Sequence, residues 1–251
     1  MKPTLRLRRV VYGCVLLLAA SYSGAADPSS VEELDDAAAR LQYAYYTDDV
    51  RALQEVLQLV ENMEAGRRTS LKSYWLAYGH WRLAQLEAAG VGRPDHAGSD
   101  GSRAARDCAR HAESSTSADR RMAEAYAILS VCAGFSSGVS DQPRCRPKPL
   151  RTALEIAPDN PRVLLIQAMC DRASEAPDVW RAVVRAFQTA PPHTAGAPDW
   201  GHAESLMLLG ASCLRRGESL AAREALERAL VIAPDFHQAQ ALLRSADQRS
   251  R

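Results

Sequence analysis

The sequence closes two separate segments in almost the same way. Leu150 to Asp159 reads LRTALEIAPD and Leu226 to Asp235 reads LERALVIAPD, with Leu, Ala, Leu, Ile, Ala, Pro and Asp at matching places. Leu and Ala favour helix, and a proline cannot continue one. Each stretch therefore reads as the end of a helix followed by a turn. Asp235 and Asn160 are placed to cap the helices that follow, and Pro161 falls in a first turn, where proline is tolerated. A chain that repeats one such unit is built by stacking copies, because a single helical hairpin cannot bury its own apolar face.

The most complete copy begins at Asp199-Trp200-Gly201. Ala203 to Leu214 predicts one helix, with Leu206, Leu209, Gly210 and Cys213 on a common face; Gly217 breaks it. Ser219 to Ile232 predicts a second, with Ala222, Leu226 and Ala229 on one face, ended by Ala233-Pro234-Asp235. Small residues at Gly210 and Ala222 let two antiparallel helices approach closely. The order large residue, Leu-Gly, Gly, Ala, large apolar residue, Ala, Pro over Ala203 to Pro234 resembles the signature of the tetratricopeptide repeat (TPR), a helix–turn–helix unit of about 34 residues. The resemblance is strong over 149–247 and looser over 31–134. It implies an all-α fold, a right-handed superhelix of antiparallel helix pairs with a concave binding surface. The chain is similar in this respect to exported bacterial TPR proteins of undefined role.

Upstream, Arg121 to Gly134 predicts the first helix of a repeat and Ser102 to Ser115 the second helix of the one before. Ser70 to Ala88 is amphipathic, and Val31 to Tyr46 with Asp48 to Ala65 make a pair at the start, giving ten or eleven helices in all. Residues 179–189 predict a further, degenerate helix. Segments 90–101, 134–148 and 190–198 are long connections rich in Gly, Pro, Ser and Asp. A hydrophobic fraction of 47% with 24% charged residues fits one folded domain over 26–251.

The first residues read as an address. Lys2, Arg6, Arg8 and Arg9 precede the uncharged apolar run Val10 to Ala20, and Ser23, Gly24, Ala25 and Ala26 follow. This is the pattern of a secretory signal peptide over 1–25, cleaved after Ala25 or one residue later. The other readings are a retained anchor and, more remotely, lipidation at Cys14. The run is short for a bilayer span, which takes roughly 20 residues. The expected location is therefore exported, and periplasmic in a Gram-negative source, with no membrane span after cleavage. The formal charge of +1 becomes 1 − 4 = −3 without the four basic residues, which argues against nucleic-acid binding.

No catalytic constellation is legible. His80, His96, His111, His193, His202 and His237 show no metalloprotease spacing, and Gly90-Val91-Gly92-Arg93 follows a helix where a phosphate loop would follow a strand. Acid pairs such as Asp35-Asp36 and Asp48-Asp49 suit helix starts. The expectation is no enzyme, no cofactor and no metal. Beyond Cys14 there are five cysteines, so at least one stays unpaired. Cys108 and Cys213 occupy packing positions and read as small buried hydrophobes. Cys132 and Cys145 flank a long connection and form a candidate disulfide.

The function expected is binding of a protein or peptide partner. A self-associating envelope unit and a cysteine-dependent redox protein are the rivals. The TPR resemblance places the partner groove on the inner faces of the first helices: Leu76, His80 and Leu83; Glu124, Ala127 and Val131; Arg162, Leu165 and Met169; Glu204, Met207, Ala211 and Arg215. Such a groove would take an amphipathic helix or an extended apolar peptide.

Overall fold

The computed structural model describes residues 28–64, 69–91, 101–132, 145–171, 176–191 and 197–249. The signal-peptide reading, Cys14, and most of the three long connections lie outside them. The described residues form eleven helices and no strand: α1 (Pro28–Tyr46), α2 (Val50–Asn62), α3 (Thr69–Ala88), α4 (Gly101–Ala118), α5 (Ala123–Cys132), α6 (Pro147–Ile156), α7 (Pro161–Cys170), α8 (Pro177–Thr189), α9 (His202–Arg215), α10 (Ser219–Ile232) and α11 (His237–Arg249). None is long and apolar enough to cross a membrane.

Local chemistry sets the helix ends. Asp49 caps α2 by accepting from the Ala52 N–H at 2.9 Å. Asn160 caps α7 by accepting from the N–H groups of Arg162 and Val163, and Pro161 occupies the first turn. Short turns make neighbours antiparallel, and each helix packs on the next. In addition α1 packs on α3, α3 on α5, α5 on α7, and α9 on α11. The odd-numbered helices from α1 to α7 thus form a layer, and α9 packs likewise on α11, with the even-numbered helices applied to them, the arrangement of stacked helical hairpins. Gly210 permits a close approach of α9 and α10: a Cβ there would lie 2.5 Å from Leu226 Cγ and 3.2 Å from the Ala222 carbonyl.

Two disulfides staple the array. Cys108 on α4 joins Cys132 on α5, and Cys145 joins Cys170 at the end of α7. The Cys132–Cys145 pairing expected from sequence is therefore corrected, as is the reading of Cys108 as a free hydrophobe. Cys132 faces back toward α4, the preceding helix, to which the bridge ties α5. Cys213 is the free cysteine among the described residues, and it is buried.

Candidate functional site

The inner layer holds a stripe of large aromatics. Tyr74, Tyr78 and Trp81 stand at i, i+4 and i+7 of α3, so they share one face. Trp200, just before α9, packs against that stripe: its centroid lies 5.2 Å from Tyr78 and 5.6 Å from Trp81, and its indole N–H donates to the Tyr74 hydroxyl. Phe236, in the turn before α11, packs against Tyr46 at 4.6 Å. All six side chains reach across what an open superhelix would leave as its hollow. The two ends of the array meet through them.

Arg82 and Glu204 sit within this cluster, with side-chain exposures of 2% and 4%. The Arg82 guanidinium carbon lies 4.1 Å from the ring centroids of both Tyr45 and Trp81. Its Nη1 donates to Gln85 Oε1 at 3.0 Å. Glu204 accepts from Arg82, from the Tyr46 hydroxyl at 2.9 Å and from the Gly201 N–H at 3.0 Å. Burial works against the guanidinium charge, but Tyr78, Tyr45 and Glu204 outweigh it, and the Arg82 pKa rises above the ordinary arginine value.

This closure corrects the groove expected from sequence. Leu76 (4% exposed), Val131 (0%), Leu165 (1%) and Met207 (8%) are core, as are Leu83, Ala127 and Glu204. Met169 is half-buried against that core. Glu124 is spent on α7, accepting from Asn160 Nδ2 at 2.7 Å. Arg215 is exposed at the far end of α9. His80 faces α4, not the hollow, and stacks on His111 at 5.4 Å. Most of these residues are thus consumed in the core, and Trp200, arriving from far along the chain, packs on the Tyr78 and Trp81 side chains of α3. The bulk of the Tyr74–Tyr78–Trp81 stripe was the one signal in the sequence that an open hollow was not intended.

Arg162 is the exception. It lines a cleft of about 880 Å³ bordered by the starts of α7 and α9 and the ends of α1, α8 and α10. Gln42, Tyr46, Asn160, Phe187, His202 and Ile232 are among its walls. Arg162 keeps 15% of its side chain exposed, with Nη2 3.6 Å from Asp199 Oδ1. Its buried Nε has no hydrogen-bond partner among the described residues, nor has His202 Nε2. The His202 ring stacks on Phe187 at 5.4 Å. Burial, and then the Arg228 charge, hold the His202 pKa below the ordinary histidine value, so the ring is neutral at pH 7. Gly201 shapes the floor: its φ of +105° suits glycine, and a Cβ would lie 2.6 Å from Phe187 Cζ and 2.9 Å from Leu165 Cδ2. The described walls of the cleft offer donors, acceptors and ring faces together.

Elsewhere, one group among the described residues brings three metal-ligating side chains together: Glu61, His80 and His111, whose donor atoms lie within 4.8 Å of one another. Sequence spacing hides it, since the three come from three helices.

No protein-family model matches the chain, and no curated protein matches it. Among solved structures the chain is similar to an assembly chaperone of RpL4 (Acl4, residues 1–338), at 17% identity and a TM-score of 0.39, over 87% of this chain and 96% of that one. A likeness that loose carries no argument about binding. What the structure itself defines is an all-α array of stacked helical hairpins whose inner face is closed by its own aromatic side chains.

Proposed function

We propose that this chain is an exported, non-catalytic module that binds a segment of another protein in the cleft between α7, α8 and α9. The observation that carries the reading is the closure of the inner face. With the usual groove of a helical-repeat protein filled, the 880 Å³ cleft at the helix ends is a concavity lined by Arg162, which keeps 15% of its side chain exposed, and by His202. Its mixed lining suits a short extended segment with a carboxylate or carbonyl for Arg162 and an apolar side chain for Phe187 and Ile232. An amphipathic helix, which needs a long apolar trough, fits it poorly. The two disulfides support an oxidising compartment and hence export, periplasmic in a Gram-negative source.

The test is capture of cross-linked partners from intact cells by the full chain and by Arg162→Glu. Reduced capture by the variant, with an unchanged melting temperature, is the expected result. Capture unaffected by Arg162→Glu refutes the cleft. If light scattering instead shows concentration-dependent self-association lost in the same variant, the chain is a self-assembling unit and the partner is its own copy.

A further inference from the structure

We propose that Glu61, His80 and His111 form a binding site for a divalent first-row transition metal ion, zinc foremost, with the remaining coordination position open to the neighbouring cleft.

Three helices deliver the ligands. His80 lies on α3 and His111 on α4, the two most extensively packed neighbours, with the small residues Ala77, Ala84, Ala104 and Ala112 buried between or beside them. His111 follows Cys108 by one helical turn, so the Cys108–Cys132 disulfide fixes its height on α4. Glu61 closes α2, and Lys72 pins that end to α3: its ammonium donates to the carbonyls of Glu61 at 2.7 Å and Met63 at 2.6 Å. The main chain of Glu61 is thereby held over the imidazoles while its carboxylate remains exposed and free to swing.

The nitrogens are available. His80 Nδ1 and Nε2 and His111 Nε2 are buried without a hydrogen-bond partner among the described residues. Three orphaned ring nitrogens at one place are costly unless something ligates or hydrates them. Burial lowers both histidines to about 4, so both rings are neutral and carry free lone pairs at pH 7. Arg110, whose charge bears on both rings, is neutralised by Asp107 at 2.9 Å. Asp107 also faces His80 across the same cleft of about 510 Å³, where a carboxylate can orient a ligating imidazole. Two imidazoles and one carboxylate form a donor set that zinc accepts. Donors on a tetrahedral zinc stand about 3.4 Å apart, given bonds of roughly 2.0–2.1 Å. The present separations, within 4.8 Å, close to that by rotating the Glu61 side chain and tilting one ring.

The experiment uses the full chain with both disulfides formed, stripped by chelator and then titrated with Zn²⁺ by calorimetry and with Co²⁺ by visible absorption. One ion per chain and a tetrahedral Co²⁺ spectrum without a thiolate charge-transfer band are expected. His80→Gln with His111→Gln abolishes both. Glu61→Gln, at an exposed position that does not disturb folding, weakens binding by about tenfold or more. The proposal is overturned by no saturable Zn²⁺ uptake, by an octahedral Co²⁺ spectrum, by a thiolate band assigning the ion to a cysteine, or by affinity unchanged in Glu61→Gln.

Discussion

Arg82 on α3 and Glu204 on α9 are 122 positions apart in the chain, yet their side chains meet at 2.5 Å in the buried centre of the molecule. Glu204 is also the residue that accepts from Tyr46 on α1 and from the Gly201 backbone. One carboxylate therefore ties together the first hairpin, the second and the last complete repeat. It does so at the position three residues into α9 where a glutamate completes the reciprocal half of a capping box.

Removing one member of that pair strands the other charge in a low-dielectric interior. Glu204→Ala is expected to lower unfolding free energy by about 3–5 kcal/mol. Arg82→Met combined with Glu204→Leu, which replaces both charges by apolar volume, recovers most of the loss. Urea denaturation of the two variants beside the unaltered chain measures both effects. Equal destabilisation by the single and double changes would show that the ion pair itself, not the stranded charge, holds the ends closed.

Gly201 joins the aromatic cluster to α9 at a φ of +105°, with Phe187 Cζ 2.6 Å from where a Cβ would stand. Gly201→Ala combines backbone strain with overpacking and is expected to cost roughly 1–3 kcal/mol. Because Phe187 carries the His202 stack, the same variant changes the cleft. Thermal melts give the stability, and the His202 proton resonances report the displaced ring. An unaltered His202 environment would mean that the cleft is indifferent to this turn.

Peptide mapping without reductant is expected to recover Cys108 linked to Cys132 and Cys145 linked to Cys170. Each bridge spans about 25 residues of chain, for which the loop-entropy model gives about 3.5 kcal/mol. In the chain lacking its first 25 residues, Cys213 then remains as the one thiol, and burial raises its pKa and slows its reaction. A thiol reagent should label it only on denaturation. Labelling of Cys132 or Cys108 in the native oxidised protein contradicts this connectivity.

His202 makes the fold sensitive to mild acid. Its folded pKa lies below the ordinary value of 6.5, so the unfolded chain binds this proton first as pH falls. Stability contributed by the neutral ring is complete above 6.5 and is lost as pH drops toward the folded pKa. His202→Phe keeps a ring to stack on Phe187 and removes the proton site. Its urea midpoint is expected to fall less steeply below pH 6.5 than that of the unaltered chain. Parallel curves would mean that His202 titrates alike in both states.

The sequence by itself determined the helices, their pairing and the rule by which they stack. The LRTALEIAPD and LERALVIAPD stretches, the Asn160 cap with Pro161, and the facing Gly210 and Ala222 are local signals, decided within a turn or two of chain. What only the tertiary structure decided is whether the inner face stays open. That depends on small rotations summed over successive hairpins, and on whether Trp200 and Phe236 arrive opposite Tyr74, Tyr78 and Tyr46. The same holds for the cysteines, since the spacing of Cys108, Cys132, Cys145 and Cys170 is compatible with several pairings and only helix packing selects one. It holds again for Glu61, His80 and His111, which no motif links and three packed helices bring together. Periodicity is a property of neighbours along the chain, whereas closure, bridging and ligation are properties of neighbours across it.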